Sequence, residues 1–300
     1  MKIIVNSDGF RLDVFLAHNL KITRTKSLQL IKDNLVYVNN KIITKAGYIL
    51  KTNDEILISE KKETLGNQKR EQEKFVYPLR ILYEDEYLII VYKPSNMLTH
   101  QTIFKENNCL YNALLYYFEQ KEIKQKPLLV HRLDKDTSGL VLVAKDDQTL
   151  LKLQKLFEEH KIIKKYYAIV HNQFNEEKIL INVPIARSRS DKLKMIASDK
   201  GKNIKPAITE ILLIKNLNQF ALVDVLLKTG RTHQIRVHLK YINHPILNDP
   251  LYGVDKNVTS YGQYLMAYYL EFQHPITKKI INQKIEMDRE FIDIIKKLEK

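Results

Sequence analysis

Apolar positions in this chain fall into two patterned blocks with a polar stretch between them. Residues 60–74, EKKETLGNQKREQEK, carry almost no apolar side chains, and such a run reads as a linker. It divides the chain into a small unit over 1–59 and a large one over 75–300. In the small unit the spacing predicts two short helices, over 13–19 and 25–32. Leu12, Phe15, Leu16, Leu28, Leu30 and Ile31 supply their apolar faces. Ser7 or Asp8 is placed to cap or turn the entry to the first. Short strands follow at 36–38 and 55–58, with turn signals at Asn39-Asn40 and over 51–54.

The large unit alternates strands with a few helices. Residues 81–83 and 87–92 read as strand, turn and strand, and apolar runs at 128–132 and 139–145 bracket a polar loop. Asp146 and Asp147 can cap a helix reaching about His160, with Leu150, Leu153, Leu156 and Phe157 on its apolar side. Strands are expected at 166–170, 207–214 and 219–227, a helix at 231–241, and an amphipathic helix at 290–300. Many strands with interspersed helices predict an α+β fold with a mixed, mainly antiparallel sheet, beside a small N-terminal α/β unit.

Composition narrows the function. Among 300 residues, 44% are hydrophobic and 28% charged, enough to bury a large core. The net charge is +14, which favours a polyanionic partner. Of the 49 cations, 39 are Lys and only 10 Arg. Arg is preferred where a planar fork must hold a carboxylate or phosphate, so the segments around 132, 187–189 and 231–236 draw attention. One cysteine, Cys109, excludes an internal disulfide framework and a multi-cysteine zinc site. The eight glycines are nowhere closer than nine residues apart, so no dinucleotide fingerprint or phosphate loop can be written. No apolar run reaches signal-peptide or membrane-span length, so a cytoplasmic protein off the membrane is expected.

The segment most suited to chemistry is LVHRLDKDTSGL, at 129–140. It puts two carboxylates, an Arg, a Lys and two hydroxyls on one loop anchored by strands at both ends. Composition alone favours a solvated turn. His233 and His238 lie five apart, about 140° around a helix, so they do not form a metal-binding pair, and no metal is expected.

The order of the residues is more specific. H-R-L-D-K-D-T-S-G-L at 131–140, ILYEDEYLIIVYKP at 81–94, KKYYAIV at 164–170, TGRTHQIRVH at 229–238 and the landmarks around 244–253 and 272–275 resemble the RluA/RluD family of RNA pseudouridine synthases. Residues 10–58, with R-L-D, T-R, L-I-K-D, V-Y-V-N and D-E-I in order, resemble the small RNA-binding domain named after ribosomal protein S4. The first resemblance implies isomerisation of uridine to its C-glycoside, with no cofactor. It implies Asp134 as the catalytic carboxylate, Tyr166 as the active-site tyrosine and Arg236 as the cation paired with the aspartate. Arg132 falls on the arginine associated with base flipping. Arg231, His233, Gln234 and Lys93 are expected at the substrate. RNA contacts are expected from Arg11, Lys21, Arg24, Lys26, Lys32, Arg187 and Arg189. The implied partner is large-subunit ribosomal RNA or a pre-ribosomal particle, met by a monomer. A non-catalytic assembly factor on the same fold is the rival reading. Whether Asp134 attacks covalently or abstracts a proton is left open. Asn34, Asn96 and Asn248 stand where the family has Gly, and are expected to take up glycine's left-handed backbone.

Overall fold

The computed structural model describes residues 2–20, 22–59, 74–102, 106–188, 190–191, 193–200, 202–254 and 259–300. The chain separates into two units, Met1–Glu71 and Gln72–Lys300. All of the polar stretch at 60–74 except Lys74 lies outside the described residues.

The first unit packs two helices on a four-stranded antiparallel sheet. In chain order the elements are β1 (Lys2–Ile4), α1 (Leu12–Asn19), α2 (Arg24–Lys32), β2 (Val36–Val38), β3 (Lys41–Ile42) and β4 (Glu55–Ile58). The strands lie side by side as β1-β4-β2-β3. Leu12, Leu16, Ile31, Val36, Val38, Leu50 and Ile56 form the core. The buried stripe of α2 is Ser27 and Ile31, one helical turn apart, which leaves the expected core residue Leu28 exposed on the flank. Thr23 caps α2 by accepting from the Lys26 N–H. Neither Ser7 nor Asp8 caps α1: the N-cap is Arg11, and Asp8 instead accepts from the backbone and hydroxyl of Thr52.

The second unit is α+β and mainly antiparallel. Its elements are β5 (Arg80–Glu84), β6 (Leu88–Lys93), α3 (Leu110–Gln120), β7 (Leu128–Leu129), β8 (Ser138–Ala144), α4 (Asp147–Glu158), β9 (Ile163–His171), β10 (Lys178–Asn182), β11 (Ile185–Arg187), β12 (Met195–Ala197), β13 (Lys202–Lys205), β14 (Ile208–Leu217), β15 (Phe220–Leu227), α5 (Gln234–Tyr241), β16 (Leu265–Gln273), β17 (Ile280–Lys284) and α6 (Arg289–Leu298). The large sheet runs β10-β14-β15-β9-β16-β8-β6-β5, and β11 to β13 form a separate three-stranded sheet. Apolar clusters cover both faces of the large sheet: Val141, Val143, Ala168 and Val223 belong to one, and Leu140, Leu142, Ile169 and Leu222 to the other. Alternation along each strand divides its residues between them.

Three differences from expectation have physical causes. The 128–132 strand ends at Leu129, because His131 and Arg132 leave the ladder to enter the polar loop. The 231–241 helix starts at Gln234, because His233 sits in the left-handed region at φ 56° and cannot lie inside a right-handed helix. Helix α3 was not expected, although Leu110, Ala113, Leu114 and Phe118 recur at helical spacing and are all buried. Its start carries no capping signal, since Cys109 makes no side-chain cap. Asp146 does cap α4, accepting from the Thr149 N–H at 2.8 Å. Asn34, Asn96 and Asn248 adopt φ of 58°, 64° and 62°, so each takes glycine's place as expected.

Within the large sheet only β8 and β16 pair in parallel, through Ser138–Met266 and Gly139–Ala267. Gly139 has φ 122°, and a Cβ there would lie 2.2 Å from the Ala267 carbonyl oxygen. Backbone cannot yield by that much inside a sheet. Gly139→Ala is therefore expected to lose about 4 kcal/mol or more, a fall of roughly 10 °C in a thermal melt. A melt within a few degrees of the unmodified protein would show that the junction tolerates a side chain.

Candidate active site

The polar loop at 131–137 is held from three sides. Thr99 Oγ1 donates to the Leu133 carbonyl at 2.7 Å and accepts from the Leu133 N–H at 3.2 Å. Ser95 Oγ donates to the Asp136 carbonyl at 3.0 Å. Lys93 Nζ donates to the carbonyls of Pro94, Met97 and Lys135 at 2.8, 2.7 and 2.9 Å. The Lys93 side chain is fully buried, and burial lowers its pKa to about 7 against the pull of Asp136 and Asp134. This corrects the expectation that Lys93 contacts substrate. All three ammonium donors are spent on carbonyls, so it fastens the loop to the end of β6.

Asp134 projects from this loop toward α5. Its Oδ2 accepts from Arg236 Nη1 at 2.8 Å, and Oδ1 bonds to no described residue. Arg236, on α5, turns its other edge to Asp249 with Nε–Oδ2 and Nη2–Oδ1 distances of 2.7 and 2.8 Å. Asp249 is completely buried and also accepts from the N–H groups of Leu251 and Tyr252. Burial opposes the charge on Arg236, but the hydrogen bonds and charges of Asp249 and Asp134 outweigh it and raise its pKa. One guanidinium thus spans two carboxylates, one locked inside and one at a cavity. Such two-edged recognition needs the planar fork of Arg. Asp249 was not among the expected site residues. Its signal was only its place in the landmark N-D-P-L-Y-G at 248–253.

The cavity is lined by Arg132, Asp134, Tyr166, Leu227, Arg231, His233, Arg236 and Leu265, among others. Tyr166 is 7% exposed and its hydroxyl bonds to no described residue. Burial, then the charge of Asp134, raises its pKa, so it is a neutral phenol. His233 Nε2 is 3.9 Å from Asp134 Oδ2, and its Nδ1 lies 2.9 Å from the Tyr252 hydroxyl. Burial lowers the His233 pKa despite Asp134, which favours a neutral ring. Arg231 is tied by Nε to the Pro206 carbonyl at 3.0 Å. Arg132 is exposed at the rim.

Gln234 also borders the cavity, but its amide is fully engaged. Oε1 accepts from Thr229 Oγ1 and the Arg231 N–H, while Nε2 donates to the Ile208 carbonyl and Thr209 Oγ1. An amide offers two donors and two acceptor sites, so Gln234 builds the loop before α5 and has no bond left for substrate.

His131, next to Arg132, belongs to the scaffold: its Nε2 accepts from the Leu142 N–H at 3.1 Å. Burial, helped by the charge of Lys164, lowers its pKa to about 3. An unfolded chain takes up this proton near pH 6.5, whereas the folded protein refuses it until about pH 3. Stability from this residue is therefore lost as pH falls through that window. The slope is about 1.4 kcal/mol per pH unit, or roughly 2 kcal/mol by pH 5. Urea midpoints at pH 7, 6 and 5 should fall less in His131→Asn than in the unmodified protein. Parallel curves would refute the assignment.

The expected RNA-contacting residues are dispersed. Arg11 and Arg24 both pair with the buried Asp13, at 3.0 and 2.7 Å, and keep half or more of their side chains exposed. Lys26 and Lys32 are exposed on α2, and Arg187 is exposed on β11. Lys21 and Arg189 lie outside the described residues. No helix among the described residues is long and apolar enough to cross a membrane.

Comparison with known proteins agrees with the sequence resemblance. The family model for RNA pseudouridylate synthases matches residues 87–241, and that for the S4 domain matches residues 10–56. An uncharacterized RNA pseudouridine synthase of Mycoplasma pneumoniae is 38% identical over 285 residues, covering 94% of this chain and 91% of the relative. Ribosomal large subunit pseudouridine synthase D of Zymomonas mobilis is 37% identical over 233 residues, covering 74% of this chain and 73% of the relative. The solved structure of human RNA pseudouridylate synthase domain containing 4 superposes with a TM-score of 0.61 at 24% identity, over 73% of this chain and 92% of that one, a likeness of fold. The chain belongs to the RluA/RluD family of RNA pseudouridine synthases, with an S4 domain at its N-terminal end.

Proposed function

We propose that this enzyme isomerises specific uridines of large-subunit ribosomal RNA, with Asp134 as the catalytic carboxylate. The observation that carries the reading is the state of Asp134, which lines the same cavity as Tyr166: one oxygen is fixed by Arg236 and the other bonds to no described residue. The ribosomal target is supported by the Zymomonas mobilis relative and by the S4 domain.

The reaction breaks the N1–C1′ bond of uridine, turns the base and joins C5 to C1′. The proton displaced from C5 leaves, and N1 gains one, so composition and oxidation state are unchanged. Asp134 Oδ1 serves as the nucleophile or base toward the sugar or uracil. Arg236 holds the carboxylate's direction and balances its charge. The Tyr166 ring stacks on the uracil, and its hydroxyl, which bonds to no described residue, hydrogen-bonds to the base. A uridine in a stem must leave its stack to enter the cavity. Arg132, at the rim, fills the vacated position or holds the adjacent phosphate. Residues 1–59 form an RNA-binding module that selects the site, using Arg11, Arg24, Lys26 and Lys32; residues 75–300 carry the chemistry. Arg11 and Arg24, with charge partly balanced by Asp13, contribute direction more than net charge.

The test is chemical mapping of pseudouridines in ribosomal and transfer RNA from cells with and without the gene. Large-subunit sites that vanish on deletion and return with the unmodified gene, but not with Asp134→Asn, are expected. Loss confined to transfer RNA would move the substrate assignment. Complementation by Asp134→Ala with no change in pseudouridine would favour the assembly-factor reading.

A further inference from the structure

Lys164 has an unusual position for a lysine. It lies on β9 two residues before Tyr166, and alternation along a strand puts both side chains on one face of the sheet. Its ammonium sits 4.8 Å from the centroid of the Phe157 ring. A Cβ on Gly230 would come within 3.3 Å of Nζ, so the ammonium rests against the 229–231 turn. It makes no hydrogen bond and no ion pair with any described residue.

The protein satisfies its other enclosed lysines. Lys93 gives its three donors to carbonyls, and Lys145 bonds to Glu84 and to the Asp85 carbonyl. Lys164 has only an aromatic face, which offsets desolvation in part. Three N–H donors without acceptors among the described residues, on a half-buried side chain, raise the energy of the free protein.

We propose that Lys164 is a phosphodiester anchor: its ammonium takes a backbone phosphate of the RNA strand whose uridine enters the cavity. This rests on the RNA reading above and deepens it. Three features point to a phosphate. The neighbours at the turn and rim are cations: Arg231 follows Gly230, and Arg132 follows His131, the ring that feels the charge of Lys164. No carboxylate shifts the ionisation of Lys164; burial alone pulls it down to about 8. A phosphodiester brings acceptor oxygens and one negative charge together, which is what this ammonium lacks. A side chain at Gly230 would crowd Nζ.

The proposal predicts opposite effects on stability and on binding. Lys164→Met keeps the length of the side chain, sets a thioether against Phe157 and removes the unpartnered charge, so it should melt at or above the temperature of the unmodified protein. With in vitro transcribed large-subunit RNA labelled with tritium at uracil C5, its KM should rise about tenfold while kcat changes by less than about twofold. The slope of log affinity against log salt should fall by about 0.7 to 0.9, one phosphate contact. Lys164→Arg should recover most of the slope. Unchanged KM and salt slope in a folded Lys164→Met would overturn the proposal, as would a lowered melting temperature with affinity intact. The two readings fail separately. If the unmodified protein releases no tritium but shows the Lys164-dependent slope, the proposed substrate chemistry falls and the anchor stands.

Discussion

Asp134→Asn is expected to fold, bind RNA and release tritium from uracil C5 at least about a thousandfold more slowly than the unmodified enzyme. The substitution is nearly isosteric, and the amide oxygen can still accept from Arg236, so the loop that Thr99, Ser95 and Lys93 fasten keeps its path. What is lost is the negative charge and the reactive electron pair on the oxygen facing the cavity. Leaving the guanidinium with one buried carboxylate in place of two costs some stability, but Asp249 still satisfies Nε and Nη2. The measurements are circular dichroism, RNA binding by filter retention, and tritium release. Release within tenfold of the unmodified enzyme would remove Asp134 from the chemistry.

Asp249→Ala is expected to cost more stability than any other single change at the site, about 3–5 kcal/mol. Removing one partner of a buried pair leaves the other charge desolvated and unmatched. Here it also frees the N–H groups of Leu251 and Tyr252. Tyr252 supports the site a second time: its hydroxyl accepts from the Met195 N–H and meets His233, while Arg236 lies 5.1 Å from its ring centroid. Loss of Asp249 should therefore lower the melting temperature by roughly 10 °C and reduce kcat even where the protein is still folded, because Arg236 can swing away from Asp134. Full activity at temperatures well below the melt would show that Arg236 needs no second carboxylate.

The parts of the molecule legible in the sequence were those with a local cause. Asn34, Asn96 and Asn248 marked left-handed backbone, Asp146 marked the start of α4, and short apolar runs marked β8 and β9. The ordered motifs singled out Asp134, Tyr166 and Arg236, and the structure brings all three to one cavity. What was not legible depended on partners distant in the chain. Nothing in the string says that Arg236 divides itself between Asp134 and Asp249, or that Lys93 closes on carbonyls instead of facing a ligand. The amide of Gln234 looked available because two of its four partners, Ile208 and Thr209, lie on a strand 25 or more residues away. Lys164 was hidden for the opposite reason: a residue defined by what it lacks leaves no mark in a motif.

The parallel junction between β8 and β16 also orders the birth of the site. Across the sheet, Lys93, Gly139, Ala267, Tyr166 and Val225 stand in one row of paired residues, contributed by β6, β8, β16, β9 and β15. The strand that joins the half bearing Asp134 to the half bearing Tyr166 is β16, which begins only at Leu265. During synthesis the strands of both halves are made before the element that sets their register. A nascent chain that has not yet delivered Ala267 therefore holds Asp134, Tyr166 and Arg236 without the strand that sets their register.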